Sequence, residues 1–186
     1  MAGWDGGILL WIQEYLRGPV LTPVFRWITS LGDHGMIWIA LAVAFLCIKK
    51  TRKAGIAMCL AMFLSLLVNN MFLKVFIART RPYEVVAGLH ILIDPPSDYS
   101  FPSGHTACAV AAAAAFWMAG PKGKRIFLIL RTGLFTLAVL IACSRLYLGV
   151  HYPTDVAAGA LSGAAEAWIS VCLIRWYERR MQQAAG

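Results

Sequence analysis

The sequence predicts an all-α protein: a polytopic bundle of about five membrane-spanning helices, or six if the N-terminal segment crosses, preceded by amphipathic helices at the bilayer surface. Three observations predict it. Of 186 residues 60% are hydrophobic and only 14% are charged, with a mean hydropathy of +0.67, whereas a soluble domain carries about 25% charge. Apolar stretches long enough to span a bilayer recur along the chain. The basic residues collect in the connections between those stretches. The net charge of +8 therefore reads as a set of topology determinants. It forms no soluble basic patch interleaved with aromatics, so nucleic acid is not an expected partner. The length leaves room for one domain, 1–186, made of interfacial N-terminal helices (1–33) and a spanning core (34–177).

The elements follow in order. Residues 7–17 form an amphipathic helix with Ile8, Trp11, Ile12, Tyr15 and Leu16 on one face, ended by Gly18-Pro19. A second amphipathic segment, 20–31, sets Val20, Leu21, Val24, Phe25, Ile28 and Leu31 against a stripe of Thr22, Arg26 and Thr29. The charges and the break argue for interfacial helices here rather than a span. No secretory leader is expected, because a basic n-region is lacking. Five spans follow at 35–50, 54–77, 103–120, 126–147 and 154–176. The first is short, and Lys49 and Lys50 extend it by snorkelling. The third is rich in alanine, which permits close helix approach. The five cysteines lie singly in apolar stretches and read as packing residues, without disulfide or metal spacing.

Orientation follows from charge. Lys49, Lys50, Arg52 and Lys53, then Lys122, Lys124 and Arg125, then Arg175, Arg179 and Arg180 fall on one side if there are five spans. That side is expected to be cytoplasmic. The 78–102 loop and the 147–153 turn then share the other side.

Three short strings emerge there. Lys74 precedes Arg81-Pro82 by seven positions, two helical turns, so the cations share a face if the helix continues to Arg81. Pro102-Ser103-Gly104-His105 opens the third span. Ser103 is placed to cap that helix, Gly104 lets a ligand approach the backbone, and the helix N-terminus favours an anion. Ser144-Arg145, His151 and Asp155 bracket the last turn. Arg145 offers a bidentate fork for phosphate. His151 and Asp155 are four apart, so Asp155 is expected to accept from one ring nitrogen and free the other for attack. Taken singly, each string also fits an ordinary interfacial cation, helix start or surface pair.

Taken together, in this order and spacing, the strings resemble the signature of the type 2 phosphatidic acid phosphatase family: K-x6-RP, PSGH and SR-x5-H-x3-D. The match covers residues 74–155 with no departure at a signature position, and the hydrophobic layout extends it over about 35–176. The resemblance implies a lipid phosphate or diphosphate phosphatase. His151 would be the nucleophile of a phosphohistidine intermediate, Asp155 its orienting partner and His105 the general acid and then base. Lys74, Arg81, Ser103, Gly104 and Arg145 would cradle the phosphate. Neither metal nor cofactor is implied, since cations take the electrostatic role; the chain also lacks H-E-x-x-H. The expected partners are a phosphorylated lipid and the bilayer. The expected location is a bacterial plasma membrane with the site facing outward. Undecaprenyl diphosphate, phosphatidylglycerophosphate and phosphatidic acid all suit the motifs, with a slight preference for the first. A lipid phosphotransferase and a non-catalytic lipid-binding or transport protein are the alternatives. The intact His105, His151 and Asp155 argue against the latter. The oligomeric state is not set by the sequence.

Several residues lie outside the motifs. Arg79 reads as a snorkelling or structural cation, and Asp94 and Asp98 as solvated charges. Tyr83, Tyr99, His34 and His90 read as interfacial. Glu166 lies eleven residues beyond Asp155, roughly 16 Å deeper in the last span. It requires a partner there. Arg131, at comparable depth on the preceding helix, is the expected one.

Overall fold

The computed structural model describes residues 3–184; the outermost two residues at each end of the expected 1–186 domain lie outside the described residues. Helices α1 (Trp4–Tyr15) and α2 (Leu21–Leu31) lead, through a 3-10 turn at Asp33–Gly35, into α3 (Met36–Cys47). Helix α4 (Arg52–Ser65) runs on through a π-helical stretch, Leu66–Leu73, into α5 (Lys74–Ile77). A short α6 (Pro82–Val85) and a long loop precede α7 (Gly104–Ala119), α8 (Arg125–Tyr147) and α9 (Pro153–Ala184). No strand occurs among the described residues.

Each of the five expected spans is a helix, but the crossing lengths differ. Arg52–Val85, Arg125–Tyr147 and Pro153–Ala184 are long and apolar enough to cross a bilayer. Helix α7 is apolar but has only 16 residues. Helix α3, short by itself, meets the length only together with α2, the pair being bent by 46°. The segment 20–31, expected to lie flat, is α2, joined to α3 across this sharp bend. His34 (φ 52°) and Gly35 (φ 68°), both left-handed, join the two helices.

The alanine-rich α7 is the centre of the bundle. Ala107, Ala109, the run Ala111–Ala115 and Phe116 are buried, packed chiefly against α9 and α4. Two glycines of α9 make this closeness feasible. A Cβ on Gly159 would stand 2.6 Å from the Ser103 carbonyl oxygen, and one on Gly163 2.4 Å from that of Ala107. In lipid the drive for helix association is packing and polar contact rather than escape from water, so small residues that let backbones touch set the pairing. This contact holds the start of α7 against the start of α9, where two of the three motifs lie.

The expected Glu166–Arg131 contact does not form. Arg131 donates to the carbonyls of Gly120 (2.6 Å) and Pro121 (2.8 Å) at the end of α7. Glu166 instead accepts from Asn69 Nδ2 (2.6 Å) and Ser162 Oγ (2.8 Å). Arg131 is long enough to reach free helix-terminal carbonyls, which an arginine satisfies well. The Asn69 that replaces it lies in the π-helical stretch, where the wider turn alters which residues face the core.

The antiparallel course of the long helices brings α5, the start of α7, the end of α8 and the start of α9 to one end. The basic connections lie at the other, where Lys53 pairs with Glu178 at 2.5 Å. Helices α1 and α2 close over the motif end. Arg17 donates to Tyr147 O and His90 O, Gln13 holds Gly88 O and His90 N, and Phe25 stacks on Tyr147 with ring centroids 4.3 Å apart.

Candidate active site

At this end lies a cavity of about 960 Å³. Six of the eight expected site residues line it: Lys74, Arg81, Gly104, His105, Arg145 and His151. Ser103 and Asp155, both fully buried, stand behind.

Lys74 begins α5, but the helix does not continue to Arg81. Ala78 takes a left-handed conformation (φ 47°) and Arg81 is extended ahead of Pro82, as a residue before proline prefers. The expected shared helical face is therefore absent. The two cations meet across the loop, both on the carboxylate of Asp98. Oδ2 accepts from Lys74 Nζ, and Oδ1 accepts from Arg81 Nη2 at 2.5 Å. Asp98, expected to be a solvated charge, thus sits on two of the three cations of the candidate cradle. Burial alone would raise its pKa, but hydrogen bonds and charge from Lys74 and Arg81 hold it at about 2.

Arg81 is also tied to the Asp98 carbonyl (2.7 Å, from Nε) and the Val150 carbonyl (2.7 Å, from Nη1), which fixes its fork beside His151. Arg145 is 3% exposed; its Nη1 donates to Thr29 Oγ1 at 2.5 Å and its Nε has no partner among the described residues. A buried guanidinium at a cavity wall, with one donor unpaired, is poorly solvated and has the fork geometry that suits an anion.

His151 is buried. Nδ1 lies 2.7 Å from the carbonyl oxygen of Ser100, and Nε2 lies 3.5 Å from Arg81 Nη1. A carbonyl only accepts, so Nδ1 carries the proton and Nε2 keeps its lone pair. Burial, and then the charges of Arg145 and Arg81, press the imidazole pKa down to about 3, against the pull of Asp155. It is therefore neutral, the state a nucleophile needs.

Asp155 stands 3.6 Å from His151 Nδ1, beyond hydrogen-bonding reach. Helix α9 starts at Pro153, so the two residues do not share a helical turn. Asp155 Oδ2 accepts instead from Ser100 Oγ (2.5 Å) and Tyr152 N (2.9 Å). Asp155 and His151 are thus joined through Ser100, whose hydroxyl is held by the carboxylate and whose carbonyl holds the ring.

Arg79 donates to Asp155 Oδ1 (2.6 Å), Thr154 Oγ1 (2.7 Å) and Asp5 Oδ2 (2.8 Å), and its guanidinium lies 3.9 Å from the Tyr152 ring centroid. It turns away from the cavity and fastens α1 to the start of α9. Ser103 occupies the N-cap position of α7 but makes no capping bond; its hydroxyl accepts from Thr106 (3.0 Å) and its N–H donates to Asp155 O (3.0 Å). The first N–H groups of α7 are thus left without a side-chain cap at the cavity edge, where Gly104 has Asn70 against it. His105, in the first turn, contacts Asp33 Oδ1 through Nε2 at 3.0 Å. Among the described residues no group of three His, Cys, Asp or Glu gathers as metal ligands.

Sequence reasoning missed Asp98, Asp33, Thr29, Ser100 and Asp5. None stands at a motif spacing, and three, Asp5, Thr29 and Asp33, belong to the N-terminal segment, which lies outside the resemblance. Arg79 was visible only as a cation next to the motif.

An all-helical membrane protein in which His105, His151, Lys74, Arg81 and Arg145 surround one cavity has the make-up of a phosphate-handling membrane protein. The chain belongs to the PAP2 superfamily, whose family model matches residues 54–179. It is 35% identical over 134 residues to an undecaprenyl-diphosphatase of Sulfolobus acidocaldarius, covering 72% of this chain and 60% of that protein. Its fold is similar to the crystal structure of Aquifex aeolicus LpxE, with a TM-score of 0.76 and 29% identity over 91% of this chain and 96% of the other. It is likewise similar to the PAP2-type phosphatidylglycerolphosphate phosphatase of Bacillus subtilis, with a TM-score of 0.71 and 28% identity over 95% and 85% of the chains.

Proposed function

We propose that this lipid phosphatase of the PAP2 superfamily hydrolyses a lipid phosphate or diphosphate through a phosphohistidine on His151. The observation that carries this reading is the neutral, buried His151, whose Nε2 keeps its lone pair, in the same cavity as Lys74, Arg81, Arg145 and His105. The phosphate enters the cradle of cations and α7 N–H groups. His151 Nε2 attacks phosphorus, the bond to the leaving oxygen breaks, and His105 gives that oxygen its proton. Water then attacks the phosphohistidine, His105 takes its proton, and the N–P bond breaks to release inorganic phosphate. Phosphoryl transfer asks chiefly for positioning and charge stabilisation, which the cradle supplies.

The lipid part of the reading is supported by the cavity's other wall. Ile39, Cys59, Met62, Phe63 and Leu66 line it beyond the cations. Ile39, Phe63 and Leu66 are also exposed on the outside of the bundle, which leaves a lateral way in from the acyl region. A polyprenyl diphosphate is favoured among the three lipids, following the undecaprenyl-diphosphatase relative. We place the site on the outward face of a bacterial plasma membrane, because the basic connections lie at the opposite end.

The test is phosphate release from undecaprenyl diphosphate, phosphatidylglycerophosphate and phosphatidic acid in detergent with EDTA, for wild type and His151→Ala. Release by wild type alone is expected, and the relative rates select the substrate. Equal release by His151→Ala removes it as nucleophile. Transfer of labelled phosphate to a second lipid, without release, identifies a phosphotransferase.

A further inference from the structure

We infer that Asp33 is a positioning residue for His105, a direct carboxylate–imidazole contact at the edge of the cavity that His151 also lines. The inference rests on the reading of His105 as the general acid.

Asp33 Oδ1 lies 3.0 Å from His105 Nε2. The turn that carries Asp33 is shaped around this contact. A Cβ on Gly32 would stand 2.9 Å from His105 Cδ2 and 3.3 Å from Ile141 Cγ2, and one on Gly35 would stand 3.2 Å from Cys108 Sγ. The α2–α3 turn is therefore moulded onto the first turn of α7, and the imidazole occupies the space a side chain at position 32 would fill. The left-handed His34 and Gly35 then carry the chain away into α3, leaving Asp33 at the cavity edge.

The chemistry follows from what each group accepts. An ionised carboxylate has no proton to give, so the Nε2 that faces Asp33 carries hydrogen. The exchangeable proton of the imidazolium is then the one on Nδ1, and that nitrogen passes it to the leaving oxygen and later collects one from water. Cations, Lys74, Arg81 and Arg145 among them, line the same cavity and oppose a positive imidazole. Asp33 is the carboxylate in contact with the ring and counters them. His151 has a neutral carbonyl at its Nδ1, which suits a group that must stay uncharged. His105 has a carboxylate, which suits a group that must alternate between charged and neutral. The two histidines are thus assigned different tasks by their partners.

The experiment compares kcat/KM for two phosphate monoesters with the same apolar tail, one with an alkanol leaving group and one with a nitrophenol leaving group. The alkoxide needs a proton as it departs and the nitrophenolate does not. Wild type, Asp33→Asn, Asp33→Glu, His105→Ala and the Asp33→Asn/His105→Ala double variant are measured. Thermal unfolding in detergent checks the fold of each. Asp33→Asn is expected to lower kcat/KM by about 10- to 100-fold on the alkyl ester and less than about 3-fold on the nitrophenyl ester. Asp33→Glu, which keeps the charge, should recover part of the loss, and the double variant should be no slower than His105→Ala alone. Equal losses on both esters, or multiplicative losses in the double variant, overturn the inference and leave Asp33 a structural residue. If His105→Ala itself loses equally on both esters, the general-acid reading fails, and the role of Asp33 fails with it.

Discussion

Replacing Asp98 by alanine should make the protein bind phosphate more tightly. In the structure Asp98 bridges Lys74 and Arg81, where the resemblance places substrate oxygens. A phosphate entering the cradle must displace it. The side chain is 51% exposed, so each ion pair is worth about 0.2–1 kcal/mol after solvent screening, and the two together roughly 1–1.5 kcal/mol. A competing internal ligand of that strength raises the apparent dissociation constant by about 5- to 12-fold. Asp98→Ala should lower KM for a short-chain lipid phosphate, and Ki for inorganic phosphate and vanadate, by about that factor, while kcat changes less. The Asp98 carbonyl that accepts from Arg81 Nε belongs to the backbone and survives the substitution. Steady-state phosphate release with inhibition by both anions measures all three constants. An unchanged or raised Ki for both anions would refute the reasoning, because Asp98 would then be holding the cations in place rather than occupying the site of the ligand.

Four further outcomes are expected. Arg79→Lys cannot fork between Asp155 and Asp5 and should lower kcat by about 10-fold with little change in KM; a purely KM effect would place Arg79 on the substrate. Glu166→Gln should keep or raise the detergent melting temperature. The new amide keeps the acceptor for Asn69 Nδ2 and brings a donor within the surroundings of Asn69 Oδ1, which has no partner among the described residues. Glu166→Leu instead removes one of the two acceptors of Asn69 Nδ2, leaving Ser65 Oγ at 3.1 Å, which costs about 1–3 kcal/mol, and should melt lower. Gly163→Leu drives a side chain into the Ala107 carbonyl, and gel filtration should show loss of the folded monodisperse species. The pH dependence has a fixed sign. His151, depressed to about 3 when folded, loses stability as pH falls below the unfolded value of about 6.5, since only the unfolded chain then takes up its proton. Asp98 contributes stability above its unfolded value of about 3.9, lost as pH falls through about 2. Denaturant midpoints should therefore fall from neutral pH toward pH 4, and His151→Gln should flatten that slope.

The reach of the sequence has a physical explanation. Helical spans were legible because the bilayer requires each spanning segment to satisfy its own backbone and to be apolar over a fixed length; both conditions are local. The motif residues Lys74, Arg81, Gly104, His105, Arg145 and His151 were legible because phosphate chemistry needs these residue types, and alternating helices bring their positions to one end. What the sequence alone could not settle depended on where chain ends and loops return. Whether Lys74 and Arg81 meet along a helix or across a loop was decided by a left-handed Ala78 and by Asp98. Whether Asp155 touches His151 was decided by Ser100, 55 residues upstream of Asp155, whose carbonyl takes the ring proton. The partner of Glu166 was decided by a π-helical turn that hydrophobic periodicity does not mark. The N-terminal helices read as surface anchors because amphipathicity reports only that one face is apolar. That their polar residues turn inward, Asp5 to Arg79, Thr29 to Arg145 and Asp33 to His105, while Trp11, Tyr15, Val20 and Val24 stay exposed, is a property of packing between segments distant in the chain. The sequence by itself thus determined the helices, the membrane and the residues of the candidate site; the tertiary structure decided their partners, because hydrogen bonds across the bundle depend on angles and distances that no spacing along the chain encodes.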